Sequence, residues 1–159
     1  MKHILISRIS SVILFFLFRG LHVLSRFDPR VKKEMERWPD GMTFKLLCGP
    51  KGPGLTMSWS GGGGLIRRKN TCPAQITMIF KSPERAISVL TGMAGISQAY
   101  AGHYFSLEGD IHSAMSFVRC VEITEAYLFP RIMTRRILRE VPEKRMPALA
   151  VYGMILLGL

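Results

Sequence analysis

Ser58 to Asn70 reads SWSGGGGLIRRKN, four consecutive glycines followed by Arg67, Arg68 and Lys69. Free backbone amides beside cations are the ingredients of a phosphate cradle. Such a cradle also needs a helix opening at the loop, with Lys and Ser or Thr at its start. Here Leu65 to Lys69 runs into Asn70 and Pro73, no GKS or GKT follows, and a helix has no room. The glycines therefore predict a hairpin connection, and the cations a solvated strand edge that discourages edge pairing.

Glu122 and Glu125 stand three apart, a spacing that could support acid–base chemistry if both were buried. Arg119 lies three residues before Glu122, so a local ion pair is the simpler expectation. Glu108 and Asp110 flank Gly109 and read as a turn acid and an N-cap. There is no GxSxG, and no GxGxxG follows a strand pattern. Cys48, Cys72 and Cys120 form no CxxC pair and suit reduced packing thiols. His3, His22, His103 and His112 form neither HxH nor HxxxH, which gives a metal site no support. The expectation is a protein without catalytic residues, cofactor or metal.

The elements that would position these residues are legible in the periodicity. Asp28-Pro29 is an N-cap followed by a first-turn proline, opening a short charged helix to Trp38. Pro39-Asp40-Gly41 ends it. Alternation then predicts strands around Phe44, Leu46 and Cys48, around Leu55, Met57 and Trp59, over Leu65 to Lys69, and around Ile76, Met78 and Phe80. Turns between them suggest an antiparallel meander. Ser82-Pro83-Glu84 caps a helix to about Leu90. A glycine break, a short helix from Ile96 and a strand over Tyr104 to Glu108 follow. Asp110 then caps a long helix to Phe129, with Ile111, Met115, Val118 and Val121 as an apolar stripe.

The 159 residues suffice for one core, and the net charge of +11 implies an anionic partner. Aromatic residues do not interleave with the cations as a nucleic-acid stacking platform requires, so nucleic acid is not expected. The cations gather toward the ends. Ile4 to Leu24 is apolar but interrupted by Arg8 and Arg19, and the longest unbroken apolar run is Val12 to Phe18. Leu5, Ile9, Val12, Phe16, Gly20 and Val23 share one side of a helical wheel. The pattern predicts an amphipathic helix on a membrane or on the domain, with a membrane anchor and a signal peptide as alternatives. A second basic amphipathic helix is expected over Ile132 to Val141. Arg8, Arg19, Arg131, Arg135, Arg136 and Arg139 are thus candidate contacts to an anionic membrane. Pro147 to Leu159 is apolar and too short to span a bilayer; it could cover a groove or dock on a partner. The ten methionines, several at inward positions, suit an adaptable apolar lining or an ordinary core.

From Ile76 to Pro130 the order is an alternating strand, a capped helix, a glycine break, Ala99-Tyr100-Ala101 preceded by a helical turn, a strand ending in Gly109-Asp110, and a long helix. With Asp40-Gly41 ahead of the first strand and the glycines at a strand turn, Phe44 to Leu128 resembles the sterol carrier protein type two family of lipid-binding domains. The resemblance implies an α+β fold, with a curved, roughly five-stranded, largely antiparallel sheet backed by helices around an apolar cavity or tunnel. It implies binding or transfer of a fatty acid, acyl-CoA, sterol or phospholipid, without catalysis. Residues 39–130 would be that domain, 1–38 an amphipathic helical segment and 131–159 a basic, hydrophobic extension. Neither terminal segment belongs to the minimal family domain. Inward parity marks Phe44, Leu46, Met57, Trp59, Ile76, Met78, Phe80, Leu90, Met93, Phe105, Leu107 and Met115 as cavity lining. The expected setting is cytoplasmic, with peripheral membrane contact. The alternative is an interaction module with a filled core and no ligand, forming a homodimer through its apolar termini.

Overall fold

A computed structural model describes residues 2–129 and 146–158. Arg131, Arg135, Arg136, Arg139 and the helix expected over 132–141 lie outside the described residues. The elements are α1 (Lys2–Phe27), α2 (Pro29–Met35), β1 (Thr43–Leu47), β2 (Gly54–Ser60), β3 (Gly64–Arg68), β4 (Ile76–Phe80), α3 (Pro83–Leu90), α4 (Ile96–Ala101), β5 (Phe105–Glu108), α5 (Ile111–Leu128) and α6 (Ala148–Leu157). The fold is α+β, with five strands in the order β3-β2-β1-β4-β5.

The sheet is mixed rather than a meander. β2 pairs antiparallel with β1 and β3, and β5 antiparallel with β4, but β4 runs parallel to β1. The segment after β3 crosses back past β1 instead of adding a strand beside β3. Register keeps the alternation in phase across the sheet. Phe44 lies opposite Met57 and Ile76, Leu46 opposite Leu55 and Met78, Met78 opposite Leu107, and Phe80 opposite Phe105. Because side chains alternate with period two, one face is apolar, with Arg67 opposite Met57 at its β3 edge. On the other face Arg68 donates to the Ser58 hydroxyl at 2.8 Å and the Thr56 hydroxyl donates to Asn70 at 3.2 Å. Gly61–Gly63 connect β2 to β3, and Gly64 carries φ +80, as a strand connection requires.

The capping signals all form. Asp28, Ser82 and Asp110 accept from the backbone amides of Arg30, Arg85 and Ser113. Gly109 aims α5 back over the sheet. It sits at φ +109, and a Cβ there would stand 2.2 Å from the Gln75 carbonyl oxygen. Only glycine fits this turn.

The face of α1 differs from the wheel. Leu14, Leu17, Leu21, Val23 and Leu24 are buried, whereas Leu5, Ile9, Val12 and Phe16 are exposed. The helix also carries leucines outside the side that the wheel picks, and these are the ones buried. Packing chooses the face: Gly20 lets α1 approach α5 so closely that a Cβ would stand 2.7 Å from Thr124 Cγ2. Ile4–Phe27 is also long and apolar enough to cross a membrane.

Candidate functional site

The inner face of the sheet is covered by α5, and much of the space between them is filled. Phe44 stacks on Phe117 at 4.7 Å, and Trp38 lies 4.6 Å from Phe44 and 6.2 Å from Trp59, centroid to centroid. A polar chain fixes this cluster. The Trp38 indole donates to the Ser116 hydroxyl (2.9 Å), Ser116 donates to Glu34 (2.8 Å), and Arg119 donates to the same carboxylate oxygen (2.9 Å). The hydrogen bond from Arg119 leads the effects that hold Glu34 below its ordinary carboxylate range. Arg119 therefore serves α2, not the local pair with Glu122 that its spacing suggested.

An open space remains beyond the aromatic cluster. A pocket of about 220 Å³ lies between α4, β5 and α5. Ile96, Ser97 and Tyr100 come from α4, Phe105 and Leu107 from β5, Met78 from β4, and Ile111, Ala114, Met115 and Val118 from α5. The helical spacing 111-114-115-118 puts the α5 residues on one face. Ser97, Tyr100, Ile111 and Met115 are exposed at its mouth. Inward, Met78, Ile96, Phe105 and Val118 are shared with a narrow cleft of about 10 Å³ that adds Leu46, Phe80, Val89, Leu90, Phe117 and Val121. Ser97 and the Tyr100 hydroxyl are the polar groups beside an otherwise apolar wall. The pocket is shaped and walled to hold a hydrocarbon chain.

The residues marked by parity divide between these spaces. Met78, Phe105, Leu107 and Met115 line the outer pocket, and Leu46, Phe80 and Leu90 the inner cleft. Phe44, Met57, Trp59 and Ile76 are buried in packed core and line neither. Met93 is 56% exposed in the break after α3. Ile96, Ser97, Tyr100, Ile111, Ala114 and Val118 were not marked. The apolar stripe Ile111, Met115, Val118 and Val121 was the signal for the α5 wall. Among the membrane candidates, Arg8 is exposed, while Arg19 donates to the Ile155 carbonyl from Nη2 (2.8 Å) and Nε (3.2 Å), tying α1 to α6.

A second apolar cavity, of about 240 Å³, lies under α1 and α6, lined by Val12, Ile13, Phe16, Leu17, Leu90, Leu128, Phe129 and Tyr152. On α5, Glu125 lines neither space; it is 4% exposed, and its Oε1 has no hydrogen-bond partner among the described residues. Burial above all, and then the charge of Glu122, push its carboxyl well above the ordinary range. The folded state thus keeps a proton that the unfolded chain releases above its reference value of 4.5. That makes stability fall as pH rises from this value toward the folded one. Glu125→Gln is expected to flatten the decline, gaining on the order of 1–3 kcal/mol relative to the parent between pH 5 and pH 8. Urea titrations at both pH values check this, and parallel curves for the two proteins would refute it. Cys48 and Cys120 are buried, and burial pushes both thiols up to about 12, which leaves them inert.

No protein-family model matches the chain, and no curated protein matches it. Solved structures to which the chain is similar include three described as sterol carrier proteins or domains. One is described as a UbiJ-SCP2 ubiquinone synthesis protein (TM-score 0.47, 19% identity, covering 77% of this chain and 97% of that one). Another is sterol carrier protein 2 from Yarrowia lipolytica in its apo form (TM-score 0.48, 14% identity, 70% and 89%). A third is the sterol carrier protein domain 2 of Helicoverpa armigera (TM-score 0.46, 17% identity, 77% and 89%).

Proposed function

We propose that this chain is a non-enzymatic lipid-binding protein that takes a fatty acyl or comparable apolar chain into the pocket between α4, β5 and α5. The observation that carries this reading is the pocket itself: about 220 Å³, walled by apolar side chains, with a mouth at the surface. Apolar cavities of about 150 Å³ stay dry and take up benzene, so this volume suffices for a short hydrocarbon chain. Each buried CH₂ contributes about 0.8 kcal/mol. Organic extraction of the purified protein followed by mass spectrometry is expected to release a stoichiometric lipid. Met115→Trp, placed at the 45% exposed mouth residue, is expected to fold and to lose at least nine-tenths of that lipid. An unchanged yield from the variant would remove the pocket as the site.

Peripheral contact with an anionic membrane belongs to the same proposal. Ile4, Leu5, Ile9, Val12, Phe15 and Phe16 are exposed along α1, beside exposed Arg8. Basic residues near such a surface contribute about 1 kcal/mol each. Co-flotation with phosphatidylserine vesicles that weakens at high salt is the expected result; equal binding to neutral vesicles would argue against it. Exposed Leu149, Leu156 and Leu157 on α6 favour a second reading, self-association, which a concentration-dependent mass in sedimentation would reveal.

A further inference from the structure

The cavity under α1 and α6 shares no lining residue with the outer pocket, so the two can fill independently. Val12, Phe16 and Tyr152 line it and are also exposed, so its mouth opens where α1 meets α6 at the surface. That surface is apolar on both sides of the mouth. On α1, Val12 and Phe16 continue into exposed Leu5, Ile9 and Phe15. On α6, exposed Leu149 and Leu156 share the face of Tyr152 at the spacing 149-152-156. Both lips are held in place: the Tyr152 hydroxyl donates to the Leu128 carbonyl, and Arg19 ties α1 to the Ile155 carbonyl. The rim is cationic. Arg8, Val12, Phe15 and Arg19 follow at 8-12-15-19, one helical face, with the Arg19 guanidinium 6.0 Å from the Phe15 ring centroid. Lys2–Phe27 and Ala148–Leu157 contain no Asp or Glu. We propose that the cavity takes one acyl chain of an anionic bilayer phospholipid, whose phosphate stays at the surface beside Arg8.

This site rests on the membrane contact proposed above, to which it adds a grip on a single lipid. A helix lying in the interface buries its apolar side about 5–10 Å into the boundary of headgroups and acyl chains, which brings lipid chains to the mouth. The cavity, about 240 Å³, is larger than the roughly 150 Å³ that accepts benzene, and Ile13, Leu17, Leu90, Leu128 and Phe129 wall it with hydrocarbon. The Arg8 stem can lie along this surface while its guanidinium meets a phosphate. A second copy of the chain fits the same face less well. A two-fold contact sets a patch against itself, so Arg8 would meet α1 of the other copy with no acid on either helix to receive it.

The test is co-flotation and spin-label electron paramagnetic resonance of the full chain on mixed phosphatidylcholine and phosphatidylserine vesicles, with one or the other lipid labelled on its acyl chain. Labelled phosphatidylserine is expected to show an immobilised component of one lipid per bound protein, at least threefold above labelled phosphatidylcholine. Val12→Trp fills the mouth but keeps the surface apolar. It should float within about threefold of the parent and lose at least nine-tenths of that component. Tyr152→Trp, on the opposite lip, should do the same. Met115→Trp closes the outer pocket and should leave the component unchanged. Arg8→Glu should weaken flotation tenfold or more and abolish the preference for phosphatidylserine. Flotation without an immobilised lipid, or a component that survives both lip variants, would overturn the cavity's role and leave the surface contact standing. Loss of the component in Met115→Trp would place the chain in the outer pocket and overturn it too. Equal immobilisation of the two lipids by the parent would overturn the pairing of phosphate with Arg8. Absence of flotation would overturn the membrane contact and this site together, and a concentration-dependent mass would then make a second copy the occupant.

Discussion

Asp28→Ala is expected to cost about 3–5 kcal/mol, the range for removing one partner of a buried, hydrogen-bonded charge pair. Asp28 is 1% exposed. Its carboxylate caps α2 through the Arg30 amide (2.9 Å), accepts from the Arg30 guanidinium (2.8 and 3.2 Å), and accepts from the Tyr127 hydroxyl on α5 (3.0 Å). One side chain therefore sets where α1 ends, where α2 begins and how both meet α5. Burial alone would raise its pKa; the hydrogen bonds from Arg30 and Tyr127 outweigh burial and hold it below the ordinary range. A lowered carboxylate stabilises the fold above its unfolded value of 3.8 and loses that contribution as pH falls through the folded one. Asp28→Asn, which keeps an acceptor but not the charge, should lose less than alanine. Urea unfolding at pH 7 measures both, and a loss below 1 kcal/mol for alanine would show that the cluster does not hold the helices together. The pH dependence is opposite in sign to that of Glu125, so the variants separate the acidic and alkaline limbs of one stability curve.

Phe117→Ala should cost a similar 3–5 kcal/mol, because a large buried aromatic leaves a cavity that its neighbours only partly fill. Phe117 is 2% exposed, stacks on Phe44 and lines the inner cleft. Truncation enlarges the cleft from its present 10 Å³ and joins it more widely to the outer pocket. The loss should thus be partly reversible: octanol, bound by the enlarged space, should restore stability as RT ln(1 + c/Kd), with c its free concentration. Urea titration with and without octanol reads both effects. A full loss with no recovery would mean that the core collapses and the cleft is not continuous with the pocket.

The strands, their inward parity and the helix starts were legible because each rests on local chemistry. Period-two alternation places Leu46, Met78 and Phe105 on the inner face wherever the strands pair. The Asp28, Ser82 and Asp110 caps read directly from residue type and a following proline or helical run. The parallel partnership of β1 and β4 was not legible, since register between distant strands leaves no local mark. The lining of the pocket was half legible for a related reason. Parity assigns a face, but whether space remains above that face depends on the opposing element. Trp38 and Phe117 come from outside the sheet and fill the room over Phe44 and Trp59. Over Met78, Leu107 and Phe105, the opposing residues are Ala114, Val118 and Ile96, and room is left. On α1 the wheel singled out the side of Leu5, Ile9, Val12 and Phe16, but leucines on another side pack in the core with α5, and that contact decided.

The early position of α1 has a consequence for synthesis. Leu14, Leu17, Leu21 and Leu24 lie in the same core as Phe117, Val118 and Val121 of α5, at the far end of the chain. A ribosome adds about 5–20 residues per second, so this helix emerges roughly 5–20 s before its cover exists. During that interval α1 exposes greasy side chains on more than one side, and β1 waits for β4 before it is flanked on both sides. The nascent chain thus presents an adhesive apolar helix before it has a domain to bury it in. A holdase or a bilayer surface that shelters Ile4–Phe27 in that window would raise the yield of folded protein without appearing in the finished fold.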